Sequence, residues 1–326
     1  MPVKNAGKYL RACIDSIIAQ DFLSWELLAV NDHSKDDTAI ILNHYVDKDS
    51  RIRMLNNNGR GIVDALQTAL EQVKGIYITR MDGDDLMPKS KLHLFYQKVR
   101  QQQTNDVVIT GLVKYFSEDT LGDGYQRYEN WLNQNLLSDQ PFKERYKECV
   151  VPSPAWLTAT SNIRALGGFR VLNYPEDYDL CFRFYDMGLH IVTIPEVIHL
   201  WRDHQTRASR NDSHYAENTF LPLKCNWLLK EFTNHMFTII GAGKKAKFVA
   251  RHFLNNHQEF HWLTNNSKKL KVPIYGKQLV SLARLTEIAN PGIMLLMIAN
   301  IEEQTVLIEW LNELGYVQGK HFYSLC

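Results

Sequence analysis

The chain has 326 residues and a formal net charge of +1, because 37 lysines and arginines nearly balance 36 aspartates and glutamates. This balance argues against a protein built mainly to hold nucleic acid, which would have a strong basic excess. Hydrophobic residues make up 45% of the chain and charged residues 22%, which excludes a mainly disordered chain, and the length favours two domains.

Short apolar runs and helical patterns alternate over the first two hundred residues. We predict strands over residues 26–30, 75–79, 106–111 and 197–200. We predict helices over residues 8–20, 36–46 and 62–73. This alternation favours an α/β fold with a mainly parallel sheet and helices on both faces. Ligands of such sheets bind beyond the carboxyl ends of the strands, so the polar loops that follow the strands are the candidate sites.

The pattern changes twice further along the chain. Residues 111–154 are rich in aromatic and turn residues, and we interpret them as an insertion that forms one wall of a cleft. A helix over about residues 213–232 then leads to a second, smaller α/β pattern. Its predicted elements are strands over 236–240, 261–263 and 293–299 and a helix over 302–314. We therefore predict a first domain of residues 1–233, which includes the connecting helix, and a second of residues 234–326.

The first residues break the expected pattern. Pro2-Val3-Lys4-Asn5 resembles the loop that follows a strand, but only Met1 precedes it. A parallel α/β sheet usually begins with an apolar strand, so we predict that the first strand is missing here. We hypothesise that the true start lies upstream of Met1.

Cysteine usage and hydropathy predict the compartment. The five cysteines form no CxxC pair, which argues against a disulfide framework and against a zinc site. The longest apolar run, residues 292–301, is about half of the ~20 residues that cross a bilayer. The N-terminus also lacks the apolar core of a secretory signal. We expect a cytoplasmic protein.

An acidic loop, Asp82-Gly83-Asp84-Asp85, directly follows one predicted strand. Carboxylates two residues apart in a tight turn can share one Mg²⁺ or Mn²⁺, which prefers oxygen ligands and can also bind phosphate oxygens. Such a metal would neutralise the charge on a departing diphosphate. The alternative is a solvated acidic turn with no ligand.

A second polar loop, residues 31–38, follows an earlier predicted strand. Asp32 could accept a hydrogen bond from the N–H group of a nucleobase. Alternatively, Ser34 or Asp36 caps the next helix, which is the commoner use of these residue types. Both interpretations can hold, because Asp32 and Asp36 are different positions.

Two more polar stretches are candidates for catalysis and for anion binding. Glu176 and Asp177 lie in the first turn of a predicted helix, where the helix dipole alone favours negative charge. Asp177 could instead be a general base that takes the proton of an attacking hydroxyl. Arg202 and Arg207 could contact a diphosphate and His204 could join the metal, or all three could belong to an ordinary surface loop.

These blocks, in this order, resemble the family 2 glycosyltransferases, which are inverting enzymes of the GT-A fold. The resemblance covers about residues 1–210. The matching blocks are Pro2-Val3-Lys4-Asn5, Asn31-Asp32-His33-Ser34-Lys35-Asp36, Gly61-Ile62-Val63-Asp64-Ala65-Leu66, Tyr77-Ile78-Thr79-Arg80-Met81-Asp82-Gly83-Asp84-Asp85, Gly167-Gly168-Phe169, Glu176-Asp177-Tyr178-Asp179-Leu180 and the stretch from Trp201 to Ser209. This chain has Asn31 where the family often has Asp and His33 where Gly is common.

The resemblance implies a role for each candidate residue. Asp177 resembles the catalytic base, and Asp32 resembles the carboxylate that binds the nucleobase of the donor. Asp82 and Asp84 resemble the D-x-D pair, with Asp82 nearer the ribose and Asp84 on the metal, to which His204 adds a metal or phosphate contact. The implied donor-binding set is completed by Pro2, Asn5, Arg80 and Glu176.

The resemblance also implies the reaction and its partners. A sugar is transferred with inversion from a nucleoside-diphosphate sugar, with UDP-sugars favoured, to a glycan or lipid-linked acceptor in bacterial surface polysaccharide synthesis. The cofactor is Mn²⁺ or Mg²⁺, and no nucleic acid is expected as a partner. The sequence leaves open a peripheral contact with the inner face of the membrane. It leaves open equally whether the second domain mediates homo-oligomerisation.

A glycine-rich loop opens the second domain. Gly241-Ala242-Gly243-Lys244-Lys245-Ala246 follows a predicted strand and satisfies the dinucleotide fingerprint G-x-G-x-x-A, so Gly241, Gly243 and Ala246 are candidate phosphate-loop residues. The acidic residue that should hold the ribose is absent after the next strand, where the sequence is Asn265-Asn266. We therefore do not expect NAD. The domain resembles small Rossmann-like domains appended to some bacterial glycosyltransferases, and we favour a structural, acceptor-handling or oligomerisation role.

Two other functions compete with a glycosyltransferase. A sugar nucleotidyltransferase shares a related α/β fold and metal use, but it would need a Gly-rich basic loop that residues 4–7 supply poorly. A catalytically silent nucleotide-binding scaffold is the second alternative, against which the retained Asp82, Asp84 and Asp177 argue.

Overall fold

The computed structural model describes residues 1–118, 122–170, 175–205, 207 and 219–326. The chain divides into two units. Unit 1 comprises residues Met1–Pro141 and Val150–Asn211, and unit 2 comprises Phe142–Cys149 and Asp212–Cys326. The short segment Phe142–Cys149 thus belongs to unit 2 although the chain on both sides of it belongs to unit 1.

The described part of unit 1 contains seven strands and seven helices. The strands are β1 (Pro2–Val3), β2 (Leu27–Asn31), β3 (Ile52–Asn56), β4 (Tyr77–Thr79), β5 (Val107–Ser117), β6 (Trp156–Ala159) and β7 (His190–Asp203). The helices are α1 (Gly7–Ile18), α2 (Thr38–Val46), α3 (Ile62–Gln72), α4 (Lys91–Arg100), α5 (Asp123–Leu136), α6 (Thr160–Ala165) and α7 (Glu176–Asp186).

These strands form two sheets. The first has the order β1-β2-β3 and is entirely parallel. The second has the order β4-β6-β5-β7, in which β5 and β7 are parallel and β6 is antiparallel to both β4 and β5. The predicted α/β fold with parallel strands is therefore confirmed, with β6 as the antiparallel exception.

The expectation that residues 2–5 form a loop is wrong for Pro2 and Val3. They form the two-residue strand β1, in which Pro2 is paired with Val30 and Val3 with Asn31. The Val3 side chain is buried in the core beside α1. A strand of two residues is too short to show a periodic pattern, which is why the sequence did not predict it.

The interpretation of residues 111–154 as an irregular insertion is also wrong in part. Strand β5 continues to Ser117, and α5 occupies Asp123–Leu136. The register between β5 and β7 shifts at Gly111, where a Cβ atom would lie 2.9 Å from Ile198 Cγ1, so the irregular pairing disguises a continuous strand. The aromatic residues of α5 pack against the core formed by β5 and β7.

Unit 2 contains a small Rossmann-like sheet, although it begins at Asp212 and includes Phe142–Cys149, whereas the domain that we predict begins at residue 234. Its strands are β8 (Phe237–Ile240), β9 (Phe260–Thr264), β10 (Val280–Ser281), β11 (Ile293–Leu296) and β12 (Phe322–Ser324), and its described helices are α8 (Phe220–Glu231), α9 (Lys244–Asn255) and α10 (Ile301–Glu313). All five strands are parallel in the order β10-β9-β8-β11-β12. Counted within the unit, this is the order 3-2-1-4-5 of a Rossmann sheet.

Two expectations concern helices. The connecting helix was predicted to begin near residue 213, but residues 208–218 lie outside the described part of the chain, and α8 begins at Phe220.

The longest helix among the described residues, α5, has 14 residues, short of the ~20 that a bilayer crossing needs, and no described helix qualifies as a membrane span.

Candidate active site

Asp32 follows the carboxyl end of β2, as the sequence predicts, and its carboxylate is held by three residues from two neighbouring loops. Asn57 Nδ2 donates a hydrogen bond to Oδ1 at 2.7 Å, and the Gly61 N–H lies 3.1 Å from both carboxylate oxygens. Lys4 Nζ lies 3.0 Å from Oδ2. Burial alone would raise the pKa of Asp32, but these hydrogen bonds lower it below its ordinary value. Asp32 is thus a fixed carboxylate at the edge of the parallel sheet.

The prediction that Ser34 or Asp36 caps the next helix is wrong as to the cap, because the N-cap of α2 is Asp37 and its side chain makes no capping hydrogen bond. Asp36 nevertheless contacts the starts of two helices. Asp36 accepts hydrogen bonds from the Thr38 N–H at 3.1 Å and from the Gly7 N–H at 2.9 Å, so it serves the first residues of both α2 and α1. Asn5 bridges the same two loops, because its side-chain oxygen accepts a hydrogen bond from the Lys35 N–H at 2.8 Å.

The unusual His33 has a structural explanation. Its φ is +54°, in the left-handed region that favours glycine, and its Nε2 lies 2.9 Å from the Gly59 carbonyl oxygen. A glycine at this position, which is common in the family that the sequence resembles, would adopt this conformation without strain. His33 therefore occupies a backbone conformation that a glycine would also adopt.

Arg80, after β4, connects the acidic loop with the start of α7. Its Nε lies 2.9 Å from Asp82 Oδ1, and its Nη1 lies 2.7 Å from Glu176 Oε1. Arg80 and Glu176 are both buried, whereas Asp82 is partly exposed. Burial opposes ionisation, but the Arg80 guanidinium lowers the pKa of Asp82. Arg80 therefore keeps Asp82 ionised and brings the acidic loop and residues 176–177 together.

Asp84 and His204 form the second contact of the acidic loop. Asp84 Oδ2 lies 2.9 Å from His204 Nε2, so the end of β7 meets the loop after β4. Burial and the nearby carboxylates of Asp85 and Asp82 raise the pKa of Asp84. Between the two aspartates, Gly83 packs on β1, where a Cβ atom would lie 2.8 Å from Val3 Cγ1. The glycine therefore allows the loop to approach the first strand.

Both arginines of the cationic stretch lie near this loop. Arg202 Nε donates to the Asp84 carbonyl oxygen at 2.8 Å, and its guanidinium lies 4.6 Å from the Tyr9 ring. The Arg207 guanidinium lies 5.7 Å from the centre of the Trp201 ring. Burial alone would lower the pKa of Arg207, but Tyr115 and the carboxylates of Asp85 and Asp84 raise it. A pocket of about 330 Å³ opens beside His204, lined by Lys8, Tyr9, Glu118, Arg202, Asp203 and His204 among others.

Asp177 is the second residue of α7 and is partly buried. Its Oδ1 accepts a hydrogen bond from the Tyr178 N–H at 2.8 Å. Burial and the neighbouring Glu176 carboxylate raise its pKa to about 7, although Arg80 acts in the opposite direction. A carboxylate whose pKa lies near neutrality suits proton transfer, because it can both accept and release a proton at physiological pH.

The structure adds a buried network that the sequence analysis missed. Asp85 Oδ2 lies 2.9 Å from His199 Nε2, and His199 Nδ1 lies 3.3 Å from Lys91 Nζ. All three side chains are almost fully buried. Asp85 Oδ1 also accepts the Arg202 N–H at 2.8 Å, so the network ends at the acidic loop. A lysine at the start of a helix and a histidine inside a strand give no local signal for such a contact.

The side chains of the acidic loop and His204 could supply some, but not all, of the ligands of a divalent metal. Asp84 supplies an oxygen, which suits Mn²⁺ or Mg²⁺, and His204 supplies a nitrogen, which suits a transition metal such as Mn²⁺ better than Mg²⁺; phosphate oxygens of a bound ligand would complete the coordination. Among the described residues, no group of three or more His, Cys, Asp or Glu side chains is arranged to hold a metal by itself. These residues therefore fit a metal that is shared with a diphosphate.

The glycine loop of unit 2 has the geometry of a strand-to-helix turn. Gly241 has a φ of +124°, and a Cβ atom there would lie 2.8 Å from the Met297 carbonyl oxygen. Gly243 precedes α9, and Ala246 is fully buried in its first turn. A buried side chain fixes this loop, because Trp262 Nε1 donates a hydrogen bond to the Gly241 carbonyl oxygen at 2.7 Å.

Parallel strands, carboxylates after the carboxyl ends of strands and an acidic loop beside basic residues are the features expected of a glycosyltransferase of the GT-A type. The family model for glycosyl transferase family 2 matches residues 1–164, and the chain belongs to this family. It is therefore a glycosyltransferase, and all of unit 2 except its segment Phe142–Cys149 lies outside the matched residues.

Comparison with curated proteins gives the same class. The chain is 26% identical to glycosyltransferase GlyG of Streptococcus pneumoniae serotype 4 over 282 residues, which cover 82% of this chain and 90% of GlyG. It is 31% identical to glycosyltransferase GlyA of the same organism over 153 residues, which cover 44% of this chain and 22% of GlyA. It is 28% identical to chondroitin synthase of Pasteurella multocida over 110 residues, which cover 34% and 11% of the two chains.

Comparison with solved structures supports the fold. The crystal structure of S. aureus TarS 1–349 in complex with UDP-GlcNAc matches with a TM-score of 0.55 and 17% identity, and covers 78% of this chain and 70% of TarS. At this identity the similarity concerns the fold alone. The GT-A fold predicted from the sequence is confirmed.

Proposed function

We propose that this glycosyltransferase moves a sugar, with inversion, from a nucleoside-diphosphate sugar to a hydroxyl group of a glycan or lipid-linked acceptor. UDP-sugars are the favoured donors, and the transferred sugar is a hexose or an N-acetylhexosamine. The observation that best supports this is the placement of Asp177, because Arg80 connects the loop bearing Asp82 to the helix turn bearing Asp177. A candidate base and a candidate diphosphate site thus lie on two connected elements.

The reaction is a single displacement. The acceptor hydroxyl gives its proton to the Asp177 carboxylate while its oxygen bonds to the anomeric carbon of the donor sugar. The bond between that carbon and the diphosphate oxygen breaks on the opposite face, and the nucleoside diphosphate leaves with the bonding electrons. The raised pKa of Asp177 supports this role, because a carboxyl with a pKa of about 7 retains the transferred proton better than an ordinary aspartate.

The other candidate residues bind the donor. Asp32 accepts a hydrogen bond from the nucleobase, and Pro2, Asn5, Arg80, Asp82 and Glu176 shape the nucleoside site. Asp84 and His204, with Asp82 close by, would hold Mn²⁺ or Mg²⁺, which neutralises the charge of the leaving diphosphate. Arg202 and Arg207 add positive charge near the same phosphates.

The biological setting comes from the relatives. The curated proteins that resemble this chain include a chondroitin synthase, which supports a role in bacterial surface polysaccharide synthesis. The complex of TarS with UDP-GlcNAc makes UDP-sugars the first donors to test. We place the enzyme on the cytoplasmic side, with its acceptor at the inner face of the membrane. For unit 2 we propose acceptor handling or oligomerisation rather than NAD chemistry.

The alternatives have less support. Family membership favours transfer of a sugar over the synthesis of a nucleotide sugar by a nucleotidyltransferase. A silent scaffold would have no need for a base candidate with a pKa near neutrality beside a buried ion pair.

Calorimetry tests the donor assignment. UDP-, GDP- and dTDP-sugars are titrated into the protein with Mn²⁺ and again with EDTA. We expect one UDP-sugar to bind more tightly than the others and EDTA to weaken it at least about tenfold. Asp84→Asn should abolish the metal effect, whereas Asp36→Asn, at the helix starts, should leave it intact. Failure of every nucleotide sugar to bind would contradict the proposal.

A further inference from the structure

Charge is distributed very unevenly along unit 2. Residues 232–286 contain nine lysines and arginines and one acidic residue, Glu259. Residues 287–326 contain one lysine and five acidic residues. The overall charge of +1 therefore conceals a basic half, formed by β8, β9, β10 and α9, and an acidic half, formed by β11, α10 and β12.

A turn on the basic half exposes apolar side chains. The backbone groups of Ile274 and Lys277 are paired at 2.9 and 3.0 Å, and Tyr275 and Gly276 between them have φ values of +54° and +76°. Two consecutive positive φ values define a tight hairpin turn, and a bulky residue such as Tyr275 rarely occupies that conformation. Tyr275 is 41% exposed and Val272 is 61% exposed. Tyr275 therefore combines a strained backbone conformation with a partly exposed aromatic side chain.

The outward face of α9 adjoins this turn. Arg251 Nη2 donates to the Tyr275 hydroxyl at 2.9 Å, and the guanidinium lies 4.7 Å from the centre of the Tyr275 ring. Phe248, one turn earlier on the helix, is 37% exposed. The opposite face of α9 is buried in the unit through Ala246, Val249, Ala250 and Phe253. The outward face and the turn therefore form one continuous surface.

We name this region the basic apolar surface. Its residues are Lys244, Lys247, Phe248, Arg251, Lys268, Lys271, Val272 and Tyr275. Its apolar residues are exposed near a turn and on a helix face, and lysines and arginines flank them in the sequence. Exposed apolar groups flanked by lysines and arginines can bind the interface of an anionic bilayer, where the apolar groups enter the headgroup region and the cations meet the lipid charges.

We propose that the basic apolar surface docks unit 2 on a membrane that contains anionic lipids. Charge complementarity identifies the occupant as an acidic lipid surface, and the exposed apolar surface of Val272 and Tyr275 favours a bilayer over a soluble polyanion, which offers no apolar phase for these side chains to enter. The proposal does not depend on the transfer reaction, because it concerns unit 2 and its test needs no donor or acceptor.

Vesicle sedimentation with the full chain tests this proposal. We expect the protein to bind vesicles of phosphatidylcholine that contain about 30% phosphatidylglycerol, an acidic lipid, and we expect salt to weaken this binding. We expect little binding to vesicles of pure phosphatidylcholine. The double variant Val272→Ser/Tyr275→Asn should bind at least about tenfold more weakly, because it removes the apolar groups while asparagine tolerates the positive φ. The matched control is Ile301→Ser/Val306→Ser on the acidic half, where the side chains are 72% and 65% exposed. This control should bind like the wild type.

A second variant keeps the test decisive if the turn variant unfolds. Lys268→Gln/Lys271→Gln changes only exposed cations and should lower binding to acidic vesicles and its salt dependence together. Equal binding of the folded turn variant and the control would overturn the proposal. So would equal binding to acidic and neutral vesicles, or tighter binding to a soluble polyanion such as an oligonucleotide than to acidic vesicles.

Discussion

Arg80 Nη1 lies 2.7 Å from Glu176 Oε1, although 96 positions separate the two residues in the sequence. Both side chains are buried, and Arg80 also binds Asp82 at 2.9 Å. One guanidinium thus joins the loop after β4 to the first turn of α7. Because Asp177 follows Glu176 directly, the contact sets both the position of the candidate base and its electrostatic surroundings.

Removal of the Glu176 charge should change stability and proton affinity together. Glu176→Gln leaves the buried Arg80 without one of its partners, so we expect the free energy of unfolding to fall by about 3 kcal/mol. The pKa of Asp177 should also fall, because the Glu176 carboxylate raises it and the Arg80 guanidinium lowers it. The acid limb of the rate profile should therefore move to lower pH. Thermal unfolding and a pH–rate profile measure the two effects, and an unmoved acid limb in a folded variant would refute the coupling.

The activity of the wild type should rise with pH through about 7. Asp177 must be ionised to accept a proton, and its pKa is raised to about 7, so the active fraction increases as the pH passes that value. Asp177→Asn should lower kcat by about 10²–10⁴-fold with little change in donor affinity. Asp186→Asn, at the other end of α7, is the matched control and should keep normal turnover. Near-normal turnover in Asp177→Asn would rule out this residue as the base.

The two aspartates of the loop after β2 should separate binding from stability. Asp32→Asn replaces the carboxylate that we assign to the nucleobase, and we expect nucleotide affinity to fall by about tenfold or more. Asp36→Asn affects the starts of α1 and α2, so it should lower the melting temperature and leave nucleotide affinity nearly unchanged. Calorimetry with UDP and thermal unfolding measure the two quantities. Equal affinities of the two variants for UDP would contradict the assignment of Asp32.

The buried network of Lys91, His199 and Asp85 should act on the acidic loop through one hydrogen bond. In His199→Gln the side-chain amide can replace Nε2 of the histidine and still donate to Asp85. In His199→Asn the shorter side chain can replace only Nδ1, the ring atom beside Lys91, and does not reach Asp85. We expect the glutamine variant to keep most of the donor affinity and the asparagine variant to lose about tenfold, because Asp85 loses a charge-assisted hydrogen bond. Donor calorimetry on both variants, with thermal unfolding as the check on folding, makes the comparison. If both variants bind the donor equally well, His199 does not position the loop.

The sequence predicted the parts of the site that follow local rules. Asp32, Asp82 and Asp84 follow the ends of strands as predicted, because each lies in a polar run directly after an apolar one, although β2 and β4 belong to different sheets. The contact of Asp84 with His204 needed the pairing of distant elements, which no local pattern specifies. The role of Lys91 was invisible for the same reason, since an isolated lysine is ordinarily a solvated surface residue.

The assay that tests the central claim most directly is donor turnover by the wild type and Asp177→Asn, with Mn²⁺ and with EDTA. UDP release and the anomeric configuration of the product are followed with the UDP-sugar that calorimetry selects and a mixture of glycan acceptors. We predict metal-dependent transfer with inversion by the wild type and a loss of at least about 10²-fold in the variant. Transfer that is unaffected by EDTA, or that retains the anomeric configuration, would contradict the account.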